Sequence, residues 1–493
     1  MKIRNKNIYK KLLIMIMITF LTQLFTLFRV SIVASNFGVS VELDAFNFAN
    51  TMAVLIFSFI TTGVTTVLIP NLNKEERQES INSFLTIVYG AGTFLLIVFL
   101  LFNKQIISIT SNNKNEYFIE LSSNILRILL ISQYLTTYLG LSNAVLQINN
   151  QFNKSKLAIL ITTAISTTII IINSQVNIYE YALIINITAI INVVLQYILM
   201  IKTSKFKFKI KFNYKDEKLK KLLKNFIPII FSTGVYQISL MIDTLIASGL
   251  GVGQISILNY SNNIIGMINA IIVGNIITFL FPKIVKDIEI NESEENILKY
   301  ITIINSILFL VVIGFFVVGK DLLKILYYRG NFTSLAIEVV YTCTLIYVIA
   351  TPISASRNII YKYFYANNDT YTPFTNSLFI SLLNIIISVI LSKFIGLYGV
   401  VLGTTISSIV SFITISIKLE KKFGVKVNTF KFFIKNSRVL VAAIMTLIIV
   451  KYLQSVVLIN NILINILITS IITVFIYIVI LNILKNKILK YKL

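Results

Sequence analysis

The sequence is poor in charged residues and lacks two residue types altogether. Only 13% of its 493 residues are Asp, Glu, Lys or Arg, whereas 56% are hydrophobic. A soluble domain carries about 25% charged residues, so a soluble protein is excluded. There is no His and no Trp, and Cys343 is the single cysteine. The absence of His excludes His proton relays, His metal sites and Ser-His or Cys-His nucleophile pairs. A lone cysteine forms no internal disulfide.

The apolar residues are arranged in long segments. Windows of about 19 residues identify fourteen segments of membrane-spanning length. The first six lie near 12–35, 45–70, 81–102, 117–146, 157–173 and 181–201. The other eight lie near 226–250, 255–281, 299–318, 335–361, 374–392, 396–417, 437–456 and 461–484. The predicted fold class is an all-α polytopic membrane protein with about fourteen transmembrane helices.

The net charge of +24 has an ordinary explanation in such a protein. Multi-span proteins concentrate Lys and Arg in their cytoplasmic loops. Here 34 of the 44 basic residues fall in the tails and loops on the side of the N-terminus, and only seven fall in the loops of the other side. We therefore expect a multi-pass protein of the bacterial cytoplasmic membrane, with both termini in the cytoplasm and no nucleic-acid partner.

The most basic stretch, residues 204–225, alternates Lys with Phe and Ile. A strand that binds nucleic acid would show the same alternation. The stretch lies between two groups of six spans, however, and this position favours a basic cytoplasmic amphipathic linker that rests on anionic lipid. Its lysines would lie among the lipid headgroups. The apolar side chains expected below them are Phe206, Phe208, Ile210 and Phe212.

An internal repeat relates the two groups of six spans. Residues 33–50 align with residues 246–262, and the matching positions lie 212 or 213 residues apart. Pro70 matches Pro282 at the same spacing. Chance similarity between Ile/Asn/Ser-rich helices is the alternative, but a same-sense repeat is typical of two-lobed transporters. The predicted divisions are lobe 1–203 (helices 1–6), linker 204–225, lobe 226–418 (helices 7–12) and helices 13–14 in 419–493.

Charged residues within or at the start of a span are candidates for the functional site. They are Arg29, Asp44, Arg127, Asp243 and Arg357. A charge near the bilayer centre costs about 2.5–3.5 kcal/mol, so such residues usually face a cavity or a partner. For Arg29 and Asp243 we favour a cavity over structural pairing, and the repeat suggests the hypothesis that they face each other across the lobe interface. For Asp44 and Arg127, snorkelling or a helix-end interaction is equally plausible.

Four stretches carry motifs that resemble a known family. They are FRVSIVASNFGVSVELDAFNFAN (28–50), VYQISLMIDTLIASGLGVGQISILNYSNN (235–263), LLKILYYRGNFT (322–333) and FYANNDTYTPF (364–374). Their sequence, order and spacing resemble those of the MurJ (MviN) lipid II flippases, within the superfamily of multidrug, oligosaccharidyl-lipid and polysaccharide exporters. The resemblance covers about residues 10–420, and helices 13 and 14 match in number only.

The resemblance implies a flippase that moves a polyprenyl-pyrophosphate-linked saccharide by alternating access, without enzymatic activity or a cofactor. A groove bounded by the last two spans would take the lipid tail. Membrane lipids, and glycosyltransferases or polymerases of the cell envelope, would be its partners. By position, Arg29 matches a cavity arginine of the family, Asp44 the acidic residue of its TDAF motif and Asp243 the Asp of its IDT motif. Arg329 matches the Arg of the RGAFT loop on the outer face.

The chain departs from the family at several cavity positions. Gln23, Phe57 and Ser58 stand where the family has arginines, Thr62 replaces a glutamate, and Asn262-Asn263 replaces an Asp-Arg pair. Pyrophosphate recognition would then rest on Arg29, on Arg357 and on neutral donors, although only cations offset phosphate charge. The neutral donors, which can also bind sugar hydroxyls, are Gln23, Asn47, Asn50, Gln237, Asn259, Asn262 and Asn263. We therefore expect a divergent member, with lipid II and a capsular or exopolysaccharide precursor both open as substrates.

Three other functions compete with this interpretation. A multidrug/cation antiporter of the same superfamily would have twelve spans and acidic binding residues. A membrane-bound glycan polymerase or ligase would need a large catalytic outer loop, whereas the longest outer loop, near 103–116, is short. A non-transporting scaffold for glycan assembly agrees with a cation-poor cavity. Neither a coupling ion, nor a use of the membrane potential, nor a metal is specified by the sequence.

Overall fold

The structure is a computed structural model. It describes residues 2–69, 71–72, 78–113, 115–149, 151–173, 175–204, 208–289, 293–367, 369–425, 429–456 and 461–484. The regular secondary structure of these residues is helical throughout. The chain divides into two compact units, Met1–Ser256 and Ile257–Leu493.

Nine helices lie in the first unit. They are α1 (Lys2–Phe37), α2 (Val41–Leu68), α3 (Gln78–Leu101), α4 (Asn103–Thr110), α5 (Glu116–Thr136), α6 (Leu139–Ile148), α7 (Phe152–Ile172), α8 (Ile178–Thr203) and α9 (Glu217–Ser248). The next helix, α10 (Gln254–Ile268), begins in the first unit and continues into the second. The second unit also contains α11 (Gly274–Glu289), α12 (Ser293–Tyr327), α13 (Ser334–Ala366), α14 (Tyr371–Ile395), α15 (Leu397–Phe423), α16 (Thr429–Val456) and α17 (Ile462–Ile483).

These helices confirm the predicted fold class. In the described part of the chain, thirteen helical stretches have the length and apolar composition needed to cross a membrane. The shorter apolar stretch Gln237–Ser248 forms the end of α9. Each of the fourteen predicted segments therefore coincides with helix. The predicted domain boundaries stay predictions, and α9 already begins within the predicted linker.

Two of the predicted spans are interrupted. The span near 117–146 is built from α5 and α6, which are separated by a tight turn in which the Thr137 N–H donates to the Tyr134 carbonyl at 3.0 Å. The span near 255–281 contains a π-helical turn, Asn269–Val273, between α10 and α11. The Asn275 side chain donates to the Ile271 carbonyl at 2.8 Å. A side-chain amide thus bonds a carbonyl in the region where the wider turn disturbs the regular ladder.

The two units contain the same turn, which joins α6 to α7 in one and α13 to α14 in the other. The Asn149 backbone N–H and side-chain amide both donate to the Val145 carbonyl, at 3.2 and 2.8 Å. The same two groups of Asn367 donate to the Tyr363 carbonyl, at 3.2 and 3.0 Å. Equivalent residues are 218 apart in the sequence. The repeat therefore extends beyond the aligned stretches to the connections between helices.

Each of these turns is also held to the end of a later helix. The Gln151 side chain accepts from the Thr203 hydroxyl at the end of α8, at 3.0 Å. Asp369, the equivalent of Gln151, accepts from Lys422 near the end of α15 at 2.6 Å. The second turn thus uses an ion pair where the first uses a neutral hydrogen bond, and the charged version is the stronger of the two.

The last two helices pack on α12. Their common core contains Ile313 and Val317 of α12, Val439 and Ala442 of α16, and Tyr477 of α17. Polar contacts reinforce this core, because the Tyr477 hydroxyl donates to the Ser306 carbonyl of α12 at 2.9 Å. A second core joins α11, α12, α13 and α15. Helices α16 and α17 are thus an integral part of the second unit.

Replacing Asp369 with Asn should destabilise the second unit in a pH-dependent way. Burial raises the pKa of the Asp369 carboxyl, but hydrogen bonds from Lys422 and Thr372 outweigh this and hold the pKa below its ordinary value. The stabilisation is therefore complete above the ordinary Asp pKa of about 3.9 and is lost as the pH falls through the folded value. We expect Asp369→Asn to cost about 1–2 kcal/mol at neutral pH, measured by thermal unfolding in detergent.

The equivalent turn of the first unit supplies the control. Thr203→Val removes a neutral hydrogen bond and should cost less, about 1 kcal/mol, with no dependence on pH in the acid range. Wild-type stability in Asp369→Asn at neutral pH would show that the ion pair does not hold the turn.

Candidate functional site

Asp44 binds the N-terminus of α10. Its carboxylate accepts hydrogen bonds from the Gly253 N–H at 2.6 Å, from the Ser256 N–H at 2.7 Å and from the Ser256 hydroxyl at 2.6 Å. The side chain is only 3% exposed. The first N–H groups of a helix have no partner within the helix, and the helix dipole favours an anion there. Asp44 thus makes the helix-end interaction, one of its two predicted alternatives.

The turn between α9 and α10 is held from a second direction by Asn112. The Asn112 backbone N–H donates to the Ser248 hydroxyl and its side-chain amide to the Leu245 carbonyl, both at 3.1 Å. Gly253 has a φ of +84°, and a Cβ there would lie 3.0 Å from the Cβ of Val39. The loops that follow α1 and α4 therefore hold this turn at both of its ends. A side chain at position 253 would be strained, because φ is positive and the Val39 side chain is close.

Arg29 lies half-buried on α1 and is held by α7. Its Nη1 donates to the Ser166 hydroxyl at 3.0 Å, and Ser166 is fully buried. The Nε of Arg29 is buried and has no hydrogen-bond partner among the described residues. A guanidinium carries several N–H donors. Arg29 therefore keeps donor capacity for an anion while a neutral partner fixes its orientation.

Arg357 has a similar arrangement on α13. Its guanidinium carbon lies 5.7 Å from the centre of the Tyr361 ring, within the range of a cation–π interaction. Its Nη2 donates to the Asn358 side chain in a long hydrogen bond of 3.4 Å. The Nε is again buried without a hydrogen-bond partner in the described part of the chain. Arg29 and Arg357 are thus both oriented by neutral groups.

The other predicted site residues are distributed over four helices. Gln23 lies half-buried on α1, Asn47 and Asn50 lie on α2, Gln237 and Asp243 lie on α9, and Asn259, Asn262 and Asn263 lie on α10. Asp243 and Asn47 are the most buried, at 4% and 6% exposed. The Asn263 amide donates to the Asn259 side chain at 3.0 Å. Their roles in substrate binding, and the pairing of Arg29 with Asp243, stay predictions.

Arg329 lies exposed at the end of α12. Its Nη2 donates to the Ile325 carbonyl at 2.6 Å, which satisfies a carbonyl at the helix end. Gly330, next in the chain, has a φ of +57°. This turn brings Phe332 back into the unit, where its ring centre lies 5.1 Å from that of Tyr260 and 5.6 Å from that of Tyr327. The RGNFT motif therefore has a packing role that sequence reasoning missed.

A hydroxyl-rich aromatic cluster surrounds one of the positions where family arginines are replaced. Phe57 is fully buried, and its ring centre lies 5.9 Å from that of Tyr134. The Tyr134 hydroxyl is 2.7 Å from the Thr93 hydroxyl and 3.2 Å from the Tyr138 hydroxyl. Sequence reasoning missed these tyrosines, because only the fold brings α3, α5 and the break before α6 together. Hydroxyl and aromatic groups thus lie beside this replaced position.

Comparison with known proteins identifies the family. A family model described as "Lipid II flippase MurJ" matches residues 33–472, which is most of the chain. The chain belongs to the MurJ lipid II flippase family. The match reaches into α17, beyond the limit of about residue 420 set by the motifs. As a member of this family the chain is a multi-pass membrane transporter and not an enzyme of glycan assembly.

Individual relatives agree along nearly the whole chain. The probable lipid II flippase MurJ of Rickettsia prowazekii (strain Madrid E) is 28% identical over 448 residues, 85% of this chain and 86% of the relative. That of Aquifex aeolicus (strain VF5) is 25% identical over 434 residues, covering 85% of each protein.

Solved structures share the fold. A lipid II flippase MurJ in an inward closed conformation superimposes with a TM-score of 0.78 at 22% identity, covering 97% of this chain and all of that one. An inward-facing multidrug transporter of the MATE family gives a TM-score of 0.64 at 15% identity, covering 81% of this chain and 94% of that one. The MurJ structure therefore matches more of the chain than this MATE family transporter does.

Replacing Asp44 with Asn should strongly destabilise the first unit. The substitution places an amide NH₂ among N–H donors and removes charge-assisted hydrogen bonds that are fully buried. We expect a loss of about 2–4 kcal/mol, measured by thermal unfolding in detergent. Glu42→Gln, two residues earlier on α2, is the matched control. Among the described residues Glu42 accepts from the Tyr117 hydroxyl at 3.2 Å, so its loss should be about 1 kcal/mol or less. Equal effects at both positions would contradict a special role for Asp44.

Proposed function

We propose that this chain is a flippase that carries lipid II across the cytoplasmic membrane by alternating access. The observation that carries the proposal is the match of the MurJ family model to residues 33–472. Both termini would lie in the cytoplasm, in agreement with the distribution of Lys and Arg between the loops. Lipid II would be the diffusing partner, and a glycosyltransferase or polymerase would act on it after transfer.

The two membrane-embedded arginines are the proposed pyrophosphate ligands. Arg29 and Arg357 each keep a buried Nε that makes no hydrogen bond within the described residues. Guanidinium groups bind phosphate oxygens through two parallel N–H bonds, which fixes both distance and direction. The Asn and Gln side chains of α1, α2, α9 and α10 both donate and accept, as saccharide hydroxyls require. In this division of labour the arginines offset charge, and the amides recognise the sugar.

Alternating access also requires contacts that close the transport pathway at one side of the membrane. With the termini in the cytoplasm, the α9–α10 turn lies on the outer side. Asp44 and Asn112 hold this turn, so we propose that their hydrogen bonds close the outer end of the pathway. The bonds would break when that end opens, and the free energy for breaking them would come from substrate binding, a coupling ion or the membrane potential.

A capsular or exopolysaccharide precursor is the second candidate substrate. The observation that favours it is the aromatic and hydroxyl cluster around Phe57, where Tyr134 and Thr93 join their hydroxyls; the resemblance implies that Phe57 and Ser58 stand at positions of family arginines. Aromatic and hydroxyl groups suit a saccharide, whereas they do not offset the charge of a phosphate. Such a chain would use a similar pathway for a different glycan.

A complementation experiment distinguishes the two candidate substrates. Expression of this chain in a bacterium depleted of its own MurJ should restore growth if the chain carries lipid II. Arg29→Gln should reduce the number of viable cells by at least about tenfold, since loss of a charged hydrogen bond costs about 1.5–3 kcal/mol. Arg127→Gln is the matched control, because Arg127 lies exposed on α5 and should be dispensable. Failure of the wild-type chain to rescue growth, at normal levels in the membrane, would reject lipid II and favour the second candidate.

A further inference from the structure

Residues 208–211, in the basic segment after α8, lie along α3. The Lys209 N–H donates to the Asn82 side chain and the Lys211 N–H to the Thr86 hydroxyl, both at 3.2 Å. Asn82 and Thr86 are one helical turn apart on α3, while the two donors are separated by one residue of extended chain. We call residues 208–215 the strap. Its extended backbone is thus bonded to one face of α3.

Two side-chain contacts fix the strap in register. Lys211 forms an ion pair with Glu79, in the first turn of α3. The Phe208 ring packs edge-on against Tyr89, with 5.7 Å between the ring centres. Tyr89 lies eleven residues into α3, within its membrane span. The side of the strap that carries Phe208 therefore faces the apolar span of α3.

The same side of the strap carries an exposed apolar stripe. Alternate residues of an extended chain share one side, so Ile210 and Phe212 follow Phe208, and Tyr214 comes next, in the turn that leads into α9. The exposed fractions of Ile210, Phe212 and Tyr214 are 82%, 68% and 65%. Large apolar side chains left in water are unfavourable relative to burial. This set differs from the one expected from the sequence: Phe208 is partly covered by Tyr89, Tyr214 is added, and Phe206 lies outside the described residues.

Positive charge borders the stripe. Lys209 and Lys215 are exposed, and more exposed lysines follow in the first turns of α9: Lys218, Lys220 and Lys221. Of the nearby acids, Glu79 pairs with Lys211, Asp216 caps the N-terminus of α9, and Glu217 lies exposed in the first turn of that helix. A surface of exposed apolar side chains bordered by an excess of lysines matches the chemistry of a membrane interface rich in anionic lipid.

We propose that the strap is an anionic-lipid-binding surface, in which Ile210, Phe212 and Tyr214 insert beneath the headgroups while Lys209 and Lys215 bind lipid phosphates. Lys211 has a different role, since it holds the strap to α3. Because the strap leads directly into α9, bound lipid would fix the position at which this helix enters the membrane. The proposal does not depend on which glycan is carried.

The absence of Trp makes a direct test available. Phe212→Trp gives the full-length chain a single tryptophan, and so does Asn213→Trp at the next position, on the opposite side of the strap. Each variant is reconstituted into vesicles whose brominated acyl chains quench tryptophan. We expect strong quenching at position 212 and weak quenching at position 213. Phosphatidylglycerol should increase the quenching at 212 relative to pure phosphatidylcholine, and salt should reduce that increase.

Lysine substitutions then test the charge contribution. In the Phe212→Trp background, Lys209→Gln with Lys215→Gln should lower the ratio of inserted to free strap in phosphatidylglycerol by about fivefold per lysine. Lys211→Gln is the matched control and should leave the effect of phosphatidylglycerol unchanged. Equal quenching at positions 212 and 213, or no effect of lipid charge at position 212, would overturn the proposal. Absence of quenching at both positions would also overturn it and would identify the stripe as a protein-binding surface.

Discussion

Backbone polar groups inside a bilayer have no water to bond, and the rest of this structure depends on that constraint. A continuous helix satisfies it alone, but every helix end or interruption at membrane depth needs another partner. Asp44 supplies acceptors for the start of α10, and Asn275 supplies a donor beside the π-helical turn. In this account, helices separate where polar contacts such as those of Asp44 break. The contacts that satisfy the backbone at a helix end therefore also mark the parts of the chain that move.

The helices could be predicted because each membrane span is a long run of apolar residues that are neighbours in the sequence. Some twenty apolar residues in a row identify a span whatever surrounds it. The interruptions were not predicted. Gly140 lies three residues after Thr137, and its N–H donates to the Thr137 carbonyl, but a glycine alone does not specify a break, and the packing of this region against α2 decides its geometry. The partners of the charged residues are equally non-local. Asp44 contacts residues more than 200 positions away, and Arg29 contacts Ser166. Sequence reasoning therefore identified the charged residues but not what they bind.

In this account the chain transports a charged substrate with few charged residues in its membrane spans. Arg29 and Arg357 each keep an Nε that makes no hydrogen bond within the described residues, and aromatic and hydroxyl side chains lie around Phe57. A neutral site costs less to maintain in a membrane than a cluster of unpaired cations. It also binds phosphate less strongly, so more of the recognition would fall to the saccharide. In this account the repeat supplies two similar units. Substitutions at a few positions change which substrate the site selects, while the transport mechanism stays the same.

The most direct test of the account is translocation by the purified chain alone. Vesicles containing the protein and fluorescent lipid II are treated with a membrane-impermeant quencher of the labelled headgroup. The account predicts that headgroups from the inner leaflet become accessible well above the rate in protein-free vesicles, without added nucleotide. A rate equal to that of protein-free vesicles, for protein that is folded and binds lipid II, would contradict it and indicate a scaffold that does not transport.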